Sequence, residues 1–315
     1  MSARTSARPE TQRPAPAATT AAAPRRRRSR AAGTWYFLLP ALALYAFAVL
    51  IPSARGIGFA FTDWNGLNLS WNFVGLDNFA RVLDDEQALR AVRNTLALAI
   101  VITIVENVIG LLLALGVHSK IKSRNVLRLI FFAPVVVVSV VIAFLWQFIY
   151  TPGGPLTQLF DGIGLGALAQ NWLGDPSIAL WAIAFVVIWQ FAGYSMVIFL
   201  AGLQGVPQEL LEAGAIDGAG PVRRFWSIIR PLLGPAITVN VMLSMIRGLM
   251  IFDQIWVMTQ GGPAQSTDSL STLVYRNAFQ YGEFGYSTAL AVVLALFVAV
   301  ISILQYRMLS RREKK

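Results

Sequence analysis

The sequence predicts an all-α polytopic membrane protein with six transmembrane helices. Three observations carry this reading. Of 315 residues, 56 % are hydrophobic and only 13 % are charged, about half the charge of an ordinary soluble domain. The apolar residues gather into runs of roughly 20, the length a helix needs to cross the hydrocarbon core. The 26 Lys and Arg collect in alternate connections between those runs, as the positive-inside rule requires. A formal charge of +10 would suggest nucleic acid on a soluble chain; here it marks the faces of a bilayer. The absence of Cys excludes disulfides, thiolate chemistry and Cys-ligated metals. One His, His118, builds neither a His-rich metal site nor a Ser–His pair.

Taken in order, residues 1–34 are rich in Ala, Pro, Thr and Arg and carry no apolar periodicity, so they read as a disordered basic cytoplasmic tail. The tail ends in Arg25–Arg28 and Arg30, and the apolar run that follows is too long for a cleaved signal peptide. The membrane domain is expected over 35–310, with spans near 35–57, 96–117, 129–148, 178–203, 232–257 and 286–306. The fifth contains Asn240, Arg247 and Asp253 and suits a buried or broken helix better than a lipid-facing one. With the N-terminus in the cytoplasm, the inner segments 1–34, 118–128, 204–231 and 307–315 hold eight, four, three and five Lys and Arg. The outer loops 58–95, 149–177 and 258–285 hold four: Arg81, Arg90, Arg93 and Arg276. Residues 311–315 form a basic cytoplasmic end. The outer loops are too short for a sizeable folded domain, so tight capture of a polar solute belongs to a separate protein. Within the third, Ser269–Phe279 has the spacing of a short amphipathic helix through Leu270, Leu273, Val274 and Ala278.

Polar groups inside spans are expensive and face a cavity or a partner. Glu106, beside Asn107, reads either as an ion relay or as a packing contact hydrogen-bonded to another helix; no second buried acid on a matching face completes a relay. Gln190 and Tyr194, four apart, share one face of the fourth span. Ser244, Arg247, Gly248 and Ile251 share one face of the fifth. The two stripes suit either a hydroxylated solute, with Gly248 leaving space, or helix packing through a small residue. Arg247 and Asp253 are six apart and do not share a face well, so each would look to other helices.

The connection 204–231 is too polar to span. Pro207 opens a helix, Glu209 and Glu212 sit where the helix dipole favours them, and Gly218 is a terminator, which places the helix over Gln208–Ile216. Pro221 starts a second helix with an apolar side of Val222, Phe225, Trp226 and Ile229; Arg223, Arg224 and Arg230 suit lipid headgroups. The stretch is a lever: a partner pressing on Leu211 and Glu212 would move the fourth and fifth spans.

The run Glu212–Ala219, with Phe225, Pro231 and Pro235, resembles the EAA loop of binding-protein-dependent ABC importer permeases. Its departure is Gly214, where that family usually has Ala. Phe73–Phe79, Phe252–Asp253, Thr259–Pro263 and Phe284–Tyr286 resemble the sugar branch, of the maltose and glycerol-phosphate type and the first-permease kind. The resemblance covers about 35–310. It implies a type I importer (MetI-like) fold, a second homologous permease, two cytoplasmic ATPase subunits and an external solute-binding protein or lipoprotein, all in a bacterial inner membrane with both termini cytoplasmic. It implies coupling to the ATPase through Glu212, Ala213, Gly214, Asp217 and Gly218, to which the reading of the stretch as a lever adds Glu209 and Leu211. It also implies a substrate pathway near Tyr194, Ser244, Gly248 and Ile251, to which the polar faces of the two spans add Gln190 and Arg247. No Walker glycine-rich loop is present, so no catalytic residue and no cofactor are expected on this chain; ATP and Mg belong to the partner. A di- or oligosaccharide is the expected cargo, with Arg247 a possible contact for phosphate. The alternative is an ion-coupled secondary transporter, which needs coupling acids on paired repeats.

Overall fold

The computed structural model describes residues 35–119 and 122–313. The tail expected over 1–34 lies outside the described residues. The chain forms two units, Met1–Pro52 and Ser53–Lys315. The described part of the first is helical throughout: a 3-10 turn at Trp35–Leu38, an α-helix at Leu39–Tyr45 and a π-turn at Ala46–Leu50. Pro40 lies in the first turn of that α-helix, where its missing N–H removes no hydrogen bond. The run Tyr36–Phe59 (α1) is long and apolar enough to cross a membrane.

In the second unit, α2 (Asp77–Asp84) leads into α3 (Glu86–His118). The Asp85 carboxylate caps α3 by accepting the Gln87 and Ala88 N–H groups. With 33 residues, α3 is about 50 Å long at 1.5 Å per residue. It begins well before the expected start at Leu96. The reason is amphipathicity: Ala88, Ala91, Asn94 and Thr95 continue a buried face, while Arg90 and Arg93 on the exposed side depress the local hydropathy.

The third span is not the single helix expected over 129–148. It is α4 (Arg124–Val136) and α5 (Ser139–Tyr150), meeting at 98° across Val137 and Val138. Pro134, inside α4, lacks the N–H of the helical ladder and crowds the preceding turn. After α6 (Pro155–Gly162) comes α7 (Ala179–Gln204), the most buried of the spans. It packs on α3 and on α4. At Gly193 a Cβ would lie 1.9 Å from the Phe131 carbonyl oxygen, so α4 rests directly on the backbone of α7.

A short helix α8 (Gln208–Ile216) and a helical elbow follow: α9 (Pro221–Arg224), a π-turn at Phe225–Ile229 and one turn at Arg230–Leu232. The fifth span is broken, as its polar residues lead one to expect, into α10 (Gly234–Leu249) and α11 (Asp253–Met258). The amphipathic helix of the third outer loop is α12 (Leu270–Phe279), opened by a Ser269–Thr272 capping box. The last span is α13 (Phe284–Glu313).

The buried faces mix apolar with polar residues, and the exposed faces are largely apolar. On α3, Ile100, Ile104, Val108 and Leu112 are exposed, while Thr103, Glu106 and Asn107 are buried. That arrangement suits a hydrocarbon solvent. At the outer end, Arg81 bridges to Glu283 at 2.8 Å and the Tyr286 hydroxyl donates to Asp85 at 2.6 Å, tying α2 and the α3 cap to α13. The Asp63 carboxyl, which accepts the Asn72 backbone and side-chain N–H groups, is held below the usual carboxylate range by those bonds.

Gly193→Ala should force α4 off α7 and lower stability by about 1–3 kcal/mol, read as a drop in the melting temperature of the purified protein. Gly116→Ala, where a Cβ meets nothing within 4 Å, should be neutral or slightly stabilising. Equal behaviour of the two variants would contradict the close approach.

Candidate functional site

Three spans contribute polar faces to one buried centre. α3 supplies Thr103, Glu106 and Asn107, α7 supplies Ser195, and α10 supplies Asn240, Ser244 and Arg247 at helical spacing. Arg247 Nη1 donates to both Glu106 carboxylate oxygens, at 2.9 and 3.0 Å. The Ser195 hydroxyl donates to Glu106 at 2.6 Å. The Asn240 amide donates to the Asn107 carbonyl oxygen, and the Asn107 amide donates to Ser244 Oγ, both at 2.9 Å. Glu106 is fully buried. An unpaired carboxylate there would be prohibitive, and the guanidinium is what makes it tolerable. The two readings of Glu106 are thereby separated: the acid is a cross-helix tie. The Arg247 guanidinium also lies 3.9 Å over the Phe191 ring and 5.5 Å over Tyr194.

Beside this centre the break between α10 and α11 faces the break between α4 and α5. A cavity of about 240 Å³ lies there, with Ser139, Phe191, Arg247, Phe252, Asp253 and Gln254 among its walls. Helix breaks leave backbone groups without intrahelical partners, and in a membrane these must be satisfied within the protein. Gln190 does so: its amide donates to the Val137 carbonyl at 3.2 Å, and its oxygen accepts from Gln254 at 3.1 Å. One side chain therefore joins both breaks.

The pathway residues expected from sequence divide. Arg247 and Ile251 line the cavity. Gln190 is buried behind it, holding the walls, and Tyr194 lies over the guanidinium. Ser244 is fully buried and hydrogen-bonded to Asn107. Gly248 is buried against α3, where a Cβ would stand 2.6 Å from Ala99 Cα, so the space it was read as leaving is filled by that helix. Ser139 and Gln254 were not anticipated; their signal was weak, one following Pro134 and the other sitting in a span already marked by polar residues.

The elbow follows its sequence closely. α8 has the expected bounds, and Gly218 has φ +75°. The Ala219 N–H bonds the Gly214 carbonyl at 2.9 Å and the Gly218 N–H bonds Ala215 at 3.1 Å, the Schellman termination that glycine permits. Gly214 is buried, and a Cβ there would be 2.8 Å from Ile228 Cδ1, so α8 is seated on the π-turn. Glu209, Glu212, Ala213, Asp217 and Gly218 are exposed and Leu211 is half-buried. Leu210 and Ile216, not singled out from sequence, are also exposed, Ile216 at 87 %. Arg224 departs from its expected headgroup role: its aliphatic stem packs near Gly214 and its Nε is buried.

Residues 106–315 match the family described as binding-protein-dependent transport system inner membrane component. The multiple sugar-binding transport system permease protein MsmF of Streptococcus mutans is 34 % identical over 279 residues, 89 % of this chain and 96 % of that protein. The probable starch degradation products transport system permease protein AmyD of Thermoanaerobacterium thermosulfurigenes is 35 % identical over 283 residues, again 89 % and 96 %. Among solved structures, a bacterial ABC transporter involved in import of the acidic polysaccharide alginate superposes with a TM-score of 0.78 at 24 % identity, over 88 % of this chain and 94 % of that one. It has the same fold.

Glu106→Gln should leave Arg247 uncompensated and cost about 3 kcal/mol, measured by thermal unfolding in detergent. The double variant Glu106→Leu/Arg247→Met should recover most of that loss. A double variant no more stable than the single one would show that the pair does not act as a unit.

Proposed function

This chain belongs to the binding-protein-dependent transport system inner membrane components, and from that premise we propose that it conducts a carbohydrate, di- or oligosaccharide, across a bacterial inner membrane. It is a permease subunit of an ABC importer and not itself an enzyme. We place its N- and C-termini in the cytoplasm, because twenty Lys and Arg then lie inside against four outside. A second homologous permease, two ATPase subunits and an external solute-binding protein complete the assembly. The carbohydrate assignment is supported by relatives whose names refer to sugars and starch products.

The observation that carries the mechanism is the exposed helix α8 seated through Gly214 on a continuous helical elbow. Glu209, Leu211, Glu212, Ala213, Asp217 and Gly218 would present the docking surface to the ATPase, and Gly214 would be the pivot. Displacement of α8 passes through Ile228 to the elbow and on to α10. α10 carries Arg247, which is tied to α3, and ends at the wall of the cavity. Closure of the ATPase dimer would thus re-aim the two broken spans and alternate access to the cavity between the two sides. In this reading Arg247 and Ile251 meet the solute, while Gln190, Tyr194, Ser244 and Gly248 hold the surrounding helices in place. An ion-coupled carrier is disfavoured because Glu106 is bonded to Arg247 and because the chain belongs to the binding-protein-dependent components.

Glu212→Lys, made in the assembled importer, should reduce uptake at least about tenfold, equivalent to 1.4 kcal/mol of lost coupling. Stimulation of ATP hydrolysis by the binding protein should be lost, with the amount of chain in the membrane unchanged. Normal uptake would remove α8 from its assigned role.

A further inference from the structure

We infer that the cavity between the two helix breaks admits uncharged polyhydroxylated solutes and rejects anionic ones, and that Asp253 is the residue that selects. The inference rests on the proposed reading of this cavity as the solute's path.

Two ionisable side chains line the cavity, Arg247 and Asp253. The charge of the positive one is already balanced. Its Nη1 bonds both oxygens of Glu106, and Phe191 covers the guanidinium face at 3.9 Å. The Glu106–Arg247 pair therefore sums to zero charge. Asp253 is different. It is half-buried, at the start of α11, and it has no ion pair or hydrogen bond among the described residues. The lining as a whole thus carries one uncompensated negative charge. Low-dielectric walls strengthen and focus such a charge.

A phosphate or uronate entering this space meets a bare carboxylate and a cation whose charge Glu106 already offsets. A neutral sugar meets a carboxylate able to accept hydroxyl hydrogen bonds, the Ser139 hydroxyl, and the rings of Phe191 and Phe252 for its C–H faces. Glu106 offsets the charge with which Arg247 would hold a phosphate.

Because this chain has no Cys, the local potential is directly measurable. In the reconstituted importer, Ser139→Cys and Met250→Cys each place one thiol at the cavity. Methanethiosulfonate reagents that are cationic, anionic or neutral then report the potential there. The unsubstituted complex is the blank, and rates are normalised to a free thiol. Both positions should react about tenfold faster with the cationic than with the anionic reagent. Asp253→Asn should bring that ratio close to one, with the neutral reagent's rate unchanged as the control for folding. Equal rates, faster anionic labelling, or a ratio that survives Asp253→Asn would overturn the selectivity while leaving the path intact. Failure of all three reagents to reach either thiol at any stage of the ATP cycle would remove the cavity from the path, and the selectivity with it.

Discussion

The ion pair between Glu106 and Arg247 is the interaction on which the inner architecture of this protein depends. Hydrocarbon offers no hydrogen bonds, so a carboxylate and a guanidinium at mid-span must find each other. Here they do so across α3 and α10, with Ser195 of α7 completing the carboxylate's partners. The geometry fixes the rotation of all three helices about their own axes. Once Glu106 and Asn107 face inward, Ile100, Ile104, Val108 and Leu112 must face outward. The same rotation presses Gly248 against Ala99, and the absence of a side chain there is what permits the approach.

Two broken spans beside this rigid centre create the space a transporter needs. Continuous helices satisfy their own backbones and pack without gaps. α4 with α5, and α10 with α11, leave freed backbone groups near the cavity. Gln190 links the two breaks through Val137 and Gln254. The cavity is thus bordered by a network whose members hold one another, and in the proposed reading it is the helix segments as units that reorient around it.

The link from this centre to the outside of the membrane domain runs along α10 into the elbow. Gly214 lies in α8 at the contact with the elbow. The structure assigns it a steric role beyond flexibility: without a Cβ, α8 settles onto Ile228. A methyl group at that point would require the end of a flexible side chain to move, a small demand compared with displacing a backbone. Seating α8 closely couples its position to that of the elbow; in the proposed reading, that contact is where a push on α8 is passed on.

Much of this protein was legible in its sequence because the signals were local. Span number, the alternation of basic residues, the helix over Gln208–Ile216 and its stop at Gly218, and the amphipathic α12 all follow from composition, periodicity and capping chemistry within a few residues. The early start of α3 was hidden because a hydropathy window averages Arg90 and Arg93 with the buried Ala88 and Ala91. The break at Val137–Val138 was hidden because a prolyl residue near a span's middle permits a kink without stating its angle. The Glu106–Arg247 pair, the closing of Gly248's space and the meeting of Asp253 with Ser139 at one cavity joined residues far apart along the chain. No periodicity within one helix can say which neighbour its polar face will meet. Tertiary packing decided that, because only there do charge, volume and backbone from separate spans compete for the same space.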